Sequence, residues 1–488
     1  MIHRTQDKRR KSRAQNRKIS RSATGGTAMK EKTRKKFCRQ AAAACMAAVL
    51  SVCTAVPVSA AQTSAAAGPY HVILSITGDA SASRTVTWHD QKNVTAGTVI
   101  YSQDEKALSA SHRGGGLSGT ASVQGTKTDI SSGIDTRSSV FSAQLAGLSA
   151  QTTYYYYVKS STGNSPILSF TTAERDQQTL SFAYLGDIQF ENDMQKEYEE
   201  WNQLISGIYK KNPDLTFGMI GGDLVQSGIR MAEWNAFLDN AADVFSRIPL
   251  MTVNGNHESN LPSGKPELYL DLFTLPENGP EGFKEEFYSF DYGSCHITAL
   301  NSWIFSGEQS VSQADYDRIE QWIENDISGS DAKWKFVIMH HPVYALASDN
   351  VSAKVKENWA PIFEKCGVDI VFCGHQHVYS RSYPLTAGRI DAESGVTYVM
   401  GNSGQKFYSS ADETLQERTV YSTSTCQVVR IDGDTLELMT YDREGNELDY
   451  FSLNARRQMT DDGELREQVL QILKKLCASV GEAVKNAA

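Results

Sequence analysis

Val368-Asp369-Ile370-Val371-Phe372-Cys373-Gly374-His375-Gln376-His377-Val378-Tyr379-Ser380-Arg381 is an apolar run that ends in a glycine and two histidines one residue apart. Four other apolar runs end in the same way. Ser181 to Leu185 leads into Asp187, Leu215 to Ile220 into Asp223, Leu250 to Val253 into Asn256, and Lys335 to Met339 into His340. Amphipathic stretches of helix length separate them, among them Met194 to Lys211, Met231 to Phe245 and Ala314 to Ile327. Strands that alternate with helices predict a layered α/β domain. Sites in such sheets form at the carboxyl ends of the strands, so these polar residues can converge although they lie far apart in sequence.

Upstream the texture differs. From Gly68 to Thr172 short strands alternate with Gly, Ser, Asn and Asp: His71 to Thr77, Arg84 to His89, Gly97 to Ser102, Val140 to Leu145, Tyr154 to Ser160 and Ile167 to Thr171. Regular strands without helical periodicity predict an antiparallel β-sandwich. The chain therefore reads as multidomain: a sandwich over 68–172, an α/β domain over 178–452, and a terminal helix over 461–488, where Leu465, Val469, Ile472, Leu473, Leu476, Val480 and Val484 form a stripe at helical spacing. The bland reading of that stripe is a helix docked on its own domain.

Charge is unevenly spread over the 488 residues. Of 48 Lys and Arg and 57 Asp and Glu, residues 1–60 hold fifteen and two, so the rest carries 33 against 55, a formal −22. A surface that acidic argues against nucleic acid as the partner, because that binding is driven by basic side chains displacing counterions. Lys30 to Lys36 precede an Ala-rich apolar run, Ala41 to Val58, and the small residues Ser59, Ala60 and Ala61 follow it. This predicts a secretory signal within 1–60, cut after Ala60, with 1–28 as an extension before Met29 and a secreted or cell-surface mature chain. The run is short for a spanning helix, so no membrane span is expected in the mature chain. Cys295, Cys366, Cys373, Cys426 and Cys477 remain after the signal, without paired or metal-binding spacing.

Five short motifs follow the α/β strands in order: Gly186-Asp187-Ile188-Gln189, Gly222-Asp223-Leu224-Val225, Gly255-Asn256-His257-Glu258, Met339-His340-His341-Pro342 and Gly374-His375-Gln376-His377. Each alone is weak; together they resemble the calcineurin-like metallophosphoesterases. The sandwich, the string Gly374 to Arg381, Pro69 to Trp88, Gln321-Trp322-Ile323 and Gly401-Asn402-Ser403-Gly404 resemble the purple acid phosphatase branch. Ser138 to Leu148 with Thr152 to Val158 resembles a fibronectin type III domain.

The chemistry of the residues agrees with that resemblance. Carboxylates, an amide oxygen and imidazoles suit borderline metals, and one carboxylate can bridge two ions. The resemblance implies two metal ions per chain, of iron, zinc, manganese or a similar element, with Asp187, Asp223 and His377 on the first and Asp223, Asn256, His340 and His375 on the second. It implies that metal-bound hydroxide attacks phosphorus in line, that Asn256 and His257 face a small phosphorylated substrate, and that His257 donates a hydrogen bond or proton. A histidine that only fixes Asn256 is the bland reading of His257. For His341 a supporting or rim role weighs as much as substrate contact. Tyr379 and Arg381 read as core packing and a local salt bridge, and Cys373 as a small buried residue.

Two departures stand out. The branch carries a tyrosine three residues after the bridging Asp, where this chain has Gln226, so no phenolate-to-iron colour is expected. Gln189 stands where the branch has Gly, which changes the surroundings of Asp187. The function expected is an exported phosphomonoesterase. A phosphodiesterase with the loops Glu258 to Glu285 and Asn301 to Ser312 setting the choice, and a catalytically dead surface binding protein, are the alternatives. No Gly-x-Ser-x-Gly elbow supports a serine hydrolase.

Overall fold

The computed structural model describes residues 68–455 apart from 131, 260–262 and 410–411. The expected signal segment 1–60, the helix 461–488 and Cys477 lie outside the described residues. Among those described, no helix is long and apolar enough to cross a membrane, and Cys295, Cys366, Cys373 and Cys426 are free thiols.

The N-terminal unit is a sandwich of antiparallel strands, as expected. One sheet runs in the order Tyr70–Ser75, Ser83–Gln91, Ser138–Ala146 and Thr126–Thr128; the other is built on Gly97–Ser102 and Thr153–Ser160. Trp88 stacks on Phe141 at 5.5 Å between centroids, with Val72, Val86, Val99, Leu145 and Tyr156 in the same core. One element departs from the all-strand expectation, the helix Glu105–His112. Its start is set by Asp104, whose carboxylate accepts the Lys106 and Ala107 N–H groups, but it buries only Leu108 and Ser111. That is too little apolar surface to leave a periodic signal.

The sheet carrying Tyr70–Ser75 is buried on both faces, and its second face packs on the α/β domain. Ser75 Oγ donates to the Thr274 carbonyl (2.6 Å), Tyr156 OH to that of Ser246 (2.7 Å), and His71 Nε2 meets Asp239 at 2.8 Å. None of the candidate ligands comes from this unit.

That domain is two mixed sheets packed face to face with helices outside, the layered α/β architecture expected. The first sheet has the order Leu250–Thr252, Leu215–Ile220, Thr179–Leu185, Thr425–Asp432, Thr435–Asp442 and Glu447–Asn454. The second has the order Tyr288–Tyr292, Cys295–Leu300, Trp334–Met339, Ile370–Cys373, Thr397–Met400, Tyr379–Ser382 and Gln416–Val420. Strands buried on both faces read as unbroken apolar runs, which is why the parallel ones stand out in the sequence. Phe182 meets Phe336 and Phe372 between the sheets at 5.5 and 6.1 Å. Met194–Lys211 turns Tyr198, Trp201, Leu204, Ile205 and Ile208 inward at helical spacing, and Gln313–Gly329 does so with Ile319, Ile323 and Ile327 behind a Ser312/Asp315 capping box.

At the edge of the second sheet His296 bonds Asp291 through Nδ1 (2.7 Å) and Asp326 through Nε2 (3.0 Å). Burial works against its charge, but the two carboxylates outweigh it and push the imidazole up to about 9. The folded value lies above the unfolded one of about 6.5, so this stabilisation is complete below about pH 6.5 and is lost as the pH rises through 9. Urea midpoints of the wild type should therefore fall more steeply between pH 7 and 9.5 than those of His296→Gln, by the equivalent of ~1–3 kcal/mol. Parallel curves for the two proteins would remove His296 from the account.

Candidate metal centre

Each of the five motifs turns at the carboxyl end of its strand, and the turns bring Asp187, Asp223, Asn256, His340 and His375 together, with His377 joined to them through Gln189. Asp187 and Asp223 are both buried. Asp187 accepts the His375 N–H on both oxygens (2.9 and 2.7 Å), while the Asp223 carbonyl accepts the Ile188 and Gln189 N–H groups (3.1 and 2.9 Å). The first, second and fifth motifs are thereby tied to one another through backbone. Tyr184 joins the two sheets beside them by donating its hydroxyl to the Cys373 carbonyl at 2.5 Å.

Asp223, His375 and His377 all have positive φ, at 52°, 74° and 48°. Non-glycine residues are held in that region only where the surroundings over-determine them, as at functional sites. Small neighbours make room. A Cβ on Gly255 would stand 2.1 Å from Asp223 Oδ1, and one on Gly374 2.4 Å from Asp187 Oδ2.

Four donor atoms converge at one end of the cluster. His340 Nε2 and His375 Nδ1 each lie 3.1 Å from Asn256 Oδ1 and 3.2 Å from each other, and Asp223 Oδ2 is 3.2 Å from His340 Nε2. His340 Nδ1 is 2.9 Å from the Gly221 carbonyl, which can only accept, so that nitrogen carries a proton and Nε2 turns its lone pair inward. Asp187, Asp223 and His340 each offer a ligand atom within 4.8 Å of the others, and the Gln189 amide links Asp223 Oδ2 (3.2 Å) to His377 Nε2 (3.4 Å). Asp223 thus neighbours members of both expected ligand groups.

The electrostatics fit two cations. Burial opposes ionisation of both carboxylates; Asp187 is pushed up, with Asp223 adding to the effect, whereas His340 and His257 hold Asp223 well down. Burial disfavours charge on His340 too, yet the carboxylates raise it to about 9, so a proton there does what a divalent ion would do. Burial lowers His375 to about 4, with His340 adding to it, and His377 to about 3, with Lys406 adding to it. Both imidazoles are thus neutral, the form that binds metal. Two buried carboxylates, an amide oxygen and three imidazoles are a donor set for borderline divalent ions.

Around this centre the remaining expectations resolve differently. His257 places Nδ1 2.7 Å from the Gln226 carbonyl and Nε2 3.9 Å from Asp223 Oδ2, and stays partly exposed. His341 is fully buried, so it is not on the rim: Ser302 bonds its Nδ1 (2.8 Å), Trp303 stacks on it, and its ring lies 4.2 Å from that of His375. The loop from Asn301 thus reaches the centre through His341. Tyr379 and Arg381 both bind Asp449, and Cys373 is buried, each as read from the sequence.

Four residues to which the sequence assigned no ligand or substrate role also contribute. Glu258 accepts the N–H groups of Asp223, Leu224, Val225 and Gly255 at 2.7–3.2 Å and so pins two ligand loops. Its presence in the third motif was the available signal. Lys406 and Tyr408 lie on the turn after Gly401-Asn402-Ser403-Gly404, the Tyr408 ring edge-on to His377 at 4.7 Å. Gln189 sends its side chain into the cluster. A groove of about 640 Å³ between Thr77–Ser81 and Glu174–Asp176 contains no candidate ligand.

Two packed sheets thus gather candidate metal ligands at the ends of their strands. Residues 180–379 match the family described as calcineurin-like phosphoesterase, and residues 69–172 the purple acid phosphatase N-terminal domain. The chain contains a calcineurin-like phosphoesterase domain preceded by a purple acid phosphatase N-terminal domain. It is 25% identical over 340 residues to an uncharacterized protein of Mycobacterium tuberculosis, covering 63% of this chain and 61% of that protein. It is 25% identical to purple acid phosphatase 22 of Arabidopsis thaliana, covering 54% of this chain and 58% of the relative. The chain thus spans less than two thirds of the length of these relatives. Among solved structures, purple acid phosphatase PPD1 from yellow lupin (Lupinus luteus) seeds shares the fold, with a TM-score of 0.63 at 18% identity over 80% of this chain and 75% of that one.

Proposed function

We propose that this chain is an exported phosphomonoesterase that hydrolyses small phosphorylated molecules at a two-metal centre. The observation that carries the reading is the meeting of Asp223 Oδ2, Asn256 Oδ1, His340 Nε2 and His375 Nδ1 at 3.1–3.2 Å, with Asp187 in reach of Asp223 and His340 and His377 linked to Asp223 through Gln189. Two divalent ions held there would make an ionised water available near neutrality and neutralise charge growing on the phosphoryl oxygens.

The chain's own residues do the rest. Asp223 holds both positions in register, and Asp187 is oriented by the His375 N–H. His257, anchored through Nδ1 on the Gln226 carbonyl, keeps Nε2 for a phosphate oxygen or the leaving oxygen. Lys406, whose charge reaches Asp187 and His377, supplies a local cation in an otherwise acidic chain. The export part of the reading rests on the basic flank and Ala-rich run ahead of Ala60.

The test is metal analysis of the purified chain loaded with Mn²⁺ or Zn²⁺, together with hydrolysis of p-nitrophenyl phosphate and bis(p-nitrophenyl) phosphate. Two ions per chain and a monoester kcat/KM at least ~10-fold above the diester value are expected. The inverse ratio would make the chain a diesterase, and two bound ions without turnover of either ester would make it a binding protein.

A further inference from the structure

A loop of the N-terminal sandwich reaches the segment that follows the second motif. Ile134 pairs with Arg230 there: its N–H donates to the Ile229 carbonyl (2.7 Å) and its carbonyl accepts the Met231 N–H (3.3 Å). Met231 opens the helix Met231–Phe245, and Arg230 at its start offers no side-chain cap. The first N–H groups of a helix have no partner within it, so the sandwich supplies an acceptor that the helix lacks. The Ile134 side chain is 52% exposed, so what this position contributes is its backbone rather than packing.

From this anchor the path to the metal centre is short. Gly228, next to Ile229, donates its N–H to the His257 carbonyl (2.8 Å), and its own carbonyl accepts the Trp234 Nε1–H (2.9 Å). Ser227 donates its N–H to Glu233 (2.7 Å), and the Gln226 carbonyl meets His257 Nδ1 (2.7 Å). A carbonyl only accepts, so Nδ1 carries the proton of that bond, and the ring is held with Nε2 3.9 Å from Asp223 Oδ2. Both the main chain and the ring of His257 are thus tied to the segment 226–228, which the helix and Ile134 hold in turn. The fit is close: a Cβ on Gly228 would stand 2.4 Å from the Glu258 carbonyl oxygen.

We propose that Ile134 is a positioning residue: the sandwich loop fixes the segment 226–230 and through it the aim of His257, so the N-terminal unit takes part in turnover without supplying a ligand. This rests on the reading of His257 as the residue that faces the phosphate. A misplacement of about 1 Å at a reacting group costs on the order of 10²-fold in rate, so a clamp of two hydrogen bonds is enough to be felt.

The experiment is a double-mutant cycle on the full-length, Mn²⁺-loaded protein with p-nitrophenyl phosphate. Ile134→Pro removes the N–H. Gly133→Ala displaces the same loop without changing Ile134, because its Cβ would stand 2.7 Å from Leu268 Cδ2 and 3.3 Å from the Ile229 carbonyl oxygen at a φ of +98°. Each should lower kcat ~10-fold in the wild-type background with two Mn²⁺ ions still bound, and less than ~2-fold in His257→Ala, where no ring is left to aim. Ile134→Thr keeps the N–H and should turn over like the wild type. Equal losses in the two backgrounds, no loss from either loop variant in the wild type, or a loss in Ile134→Thr equal to that in Ile134→Pro overturns the proposal and leaves the phosphatase reading standing. If one loop variant fails to fold, the other completes the cycle. Undiminished kcat in His257→Ala overturns the role of His257 and the proposal with it, whereas a wild type that hydrolyses no phosphate ester overturns the functional reading itself.

Discussion

Replacing Asp223 with alanine should empty the centre: metal content falls from two ions per chain to near none, and turnover drops on the order of 10³-fold or more. Asp223 Oδ2 faces His340, Gln189 and, at 3.9 Å, His257, while Oδ1 accepts the His257 N–H at 3.0 Å. Without this carboxylate the second ion has no anionic ligand, and the first keeps only Asp187. Asp223→Asn is the companion variant, because it keeps the volume and the His257 N–H bond and isolates the charge. Asp223 is held ionised by His340 and His257, and that charge stabilises the fold, so metal-free Asp223→Asn should melt below metal-free wild type even though repulsion with Asp187 is relieved. Plasma mass spectrometry and melting curves read both effects. Two tightly bound ions and undiminished turnover in Asp223→Ala would refute the ligand assignment.

Glu258 should give the second large effect, through stability first and metal second. Its carboxylate closes off four backbone N–H groups from Asp223, Leu224, Val225 and Gly255, all buried. Burial and the nearby Asp223 push it up to about 7 against the pull of those donors, so its proton is held far more tightly than that of a surface glutamate. In Glu258→Ala four N–H groups lose their acceptor, and at ~1–3 kcal/mol for each buried unsatisfied group the loss reaches ~4 kcal/mol or more. With ~2–4 °C of melting temperature per kcal/mol, the midpoint should fall by ~10 °C. Glu258→Gln keeps the shape, presents one oxygen to the donors, and should lie between alanine and wild type. The turns it pins carry Asp223 and Asn256, so Mn²⁺ affinity should fall in the same order. A Glu258→Ala protein that melts and binds Mn²⁺ like the wild type would show that the loops hold themselves.

Much of the α/β domain was legible because its signals are local. Met194–Lys211 and Met231–Phe245 begin and end where the apolar spacing begins and ends, and the buried parallel strands appear as unbroken apolar runs. The sequence reading assigned no strands after Gly401, yet Gln416–Val420, Thr425–Asp432, Thr435–Asp442 and Glu447–Asn454 complete both sheets. The reason is physical: Gln416–Val420 and Glu447–Asn454 bury almost nothing completely, so their side chains show no strong alternation, and their pairing comes from neighbours distant in the chain. The helix Glu105–His112 escaped for the same want of buried residues.

The site divides along the same line. The sequence by itself determined which residues could hold metal, because a strand end followed by Gly and Asp, Asn or His is a local pattern and the donor chemistry of those side chains does not depend on their neighbours. It also determined that Gln226 withholds a phenolate. Tertiary structure alone decided that Asp223 neighbours members of both ligand groups, that Glu258 ties the loops of Asp223 and Gly255 together, that His341 is sealed behind His375, and that Gln189 reaches inward to Asp223 and His377. These are relations between turns on different strands, some within one sheet and some across the two. Their distances are set by how Phe182, Tyr184 and Phe372 pack those sheets and by the positive-φ turns at Asp223, His375 and His377, neither of which is written in any single stretch of the chain.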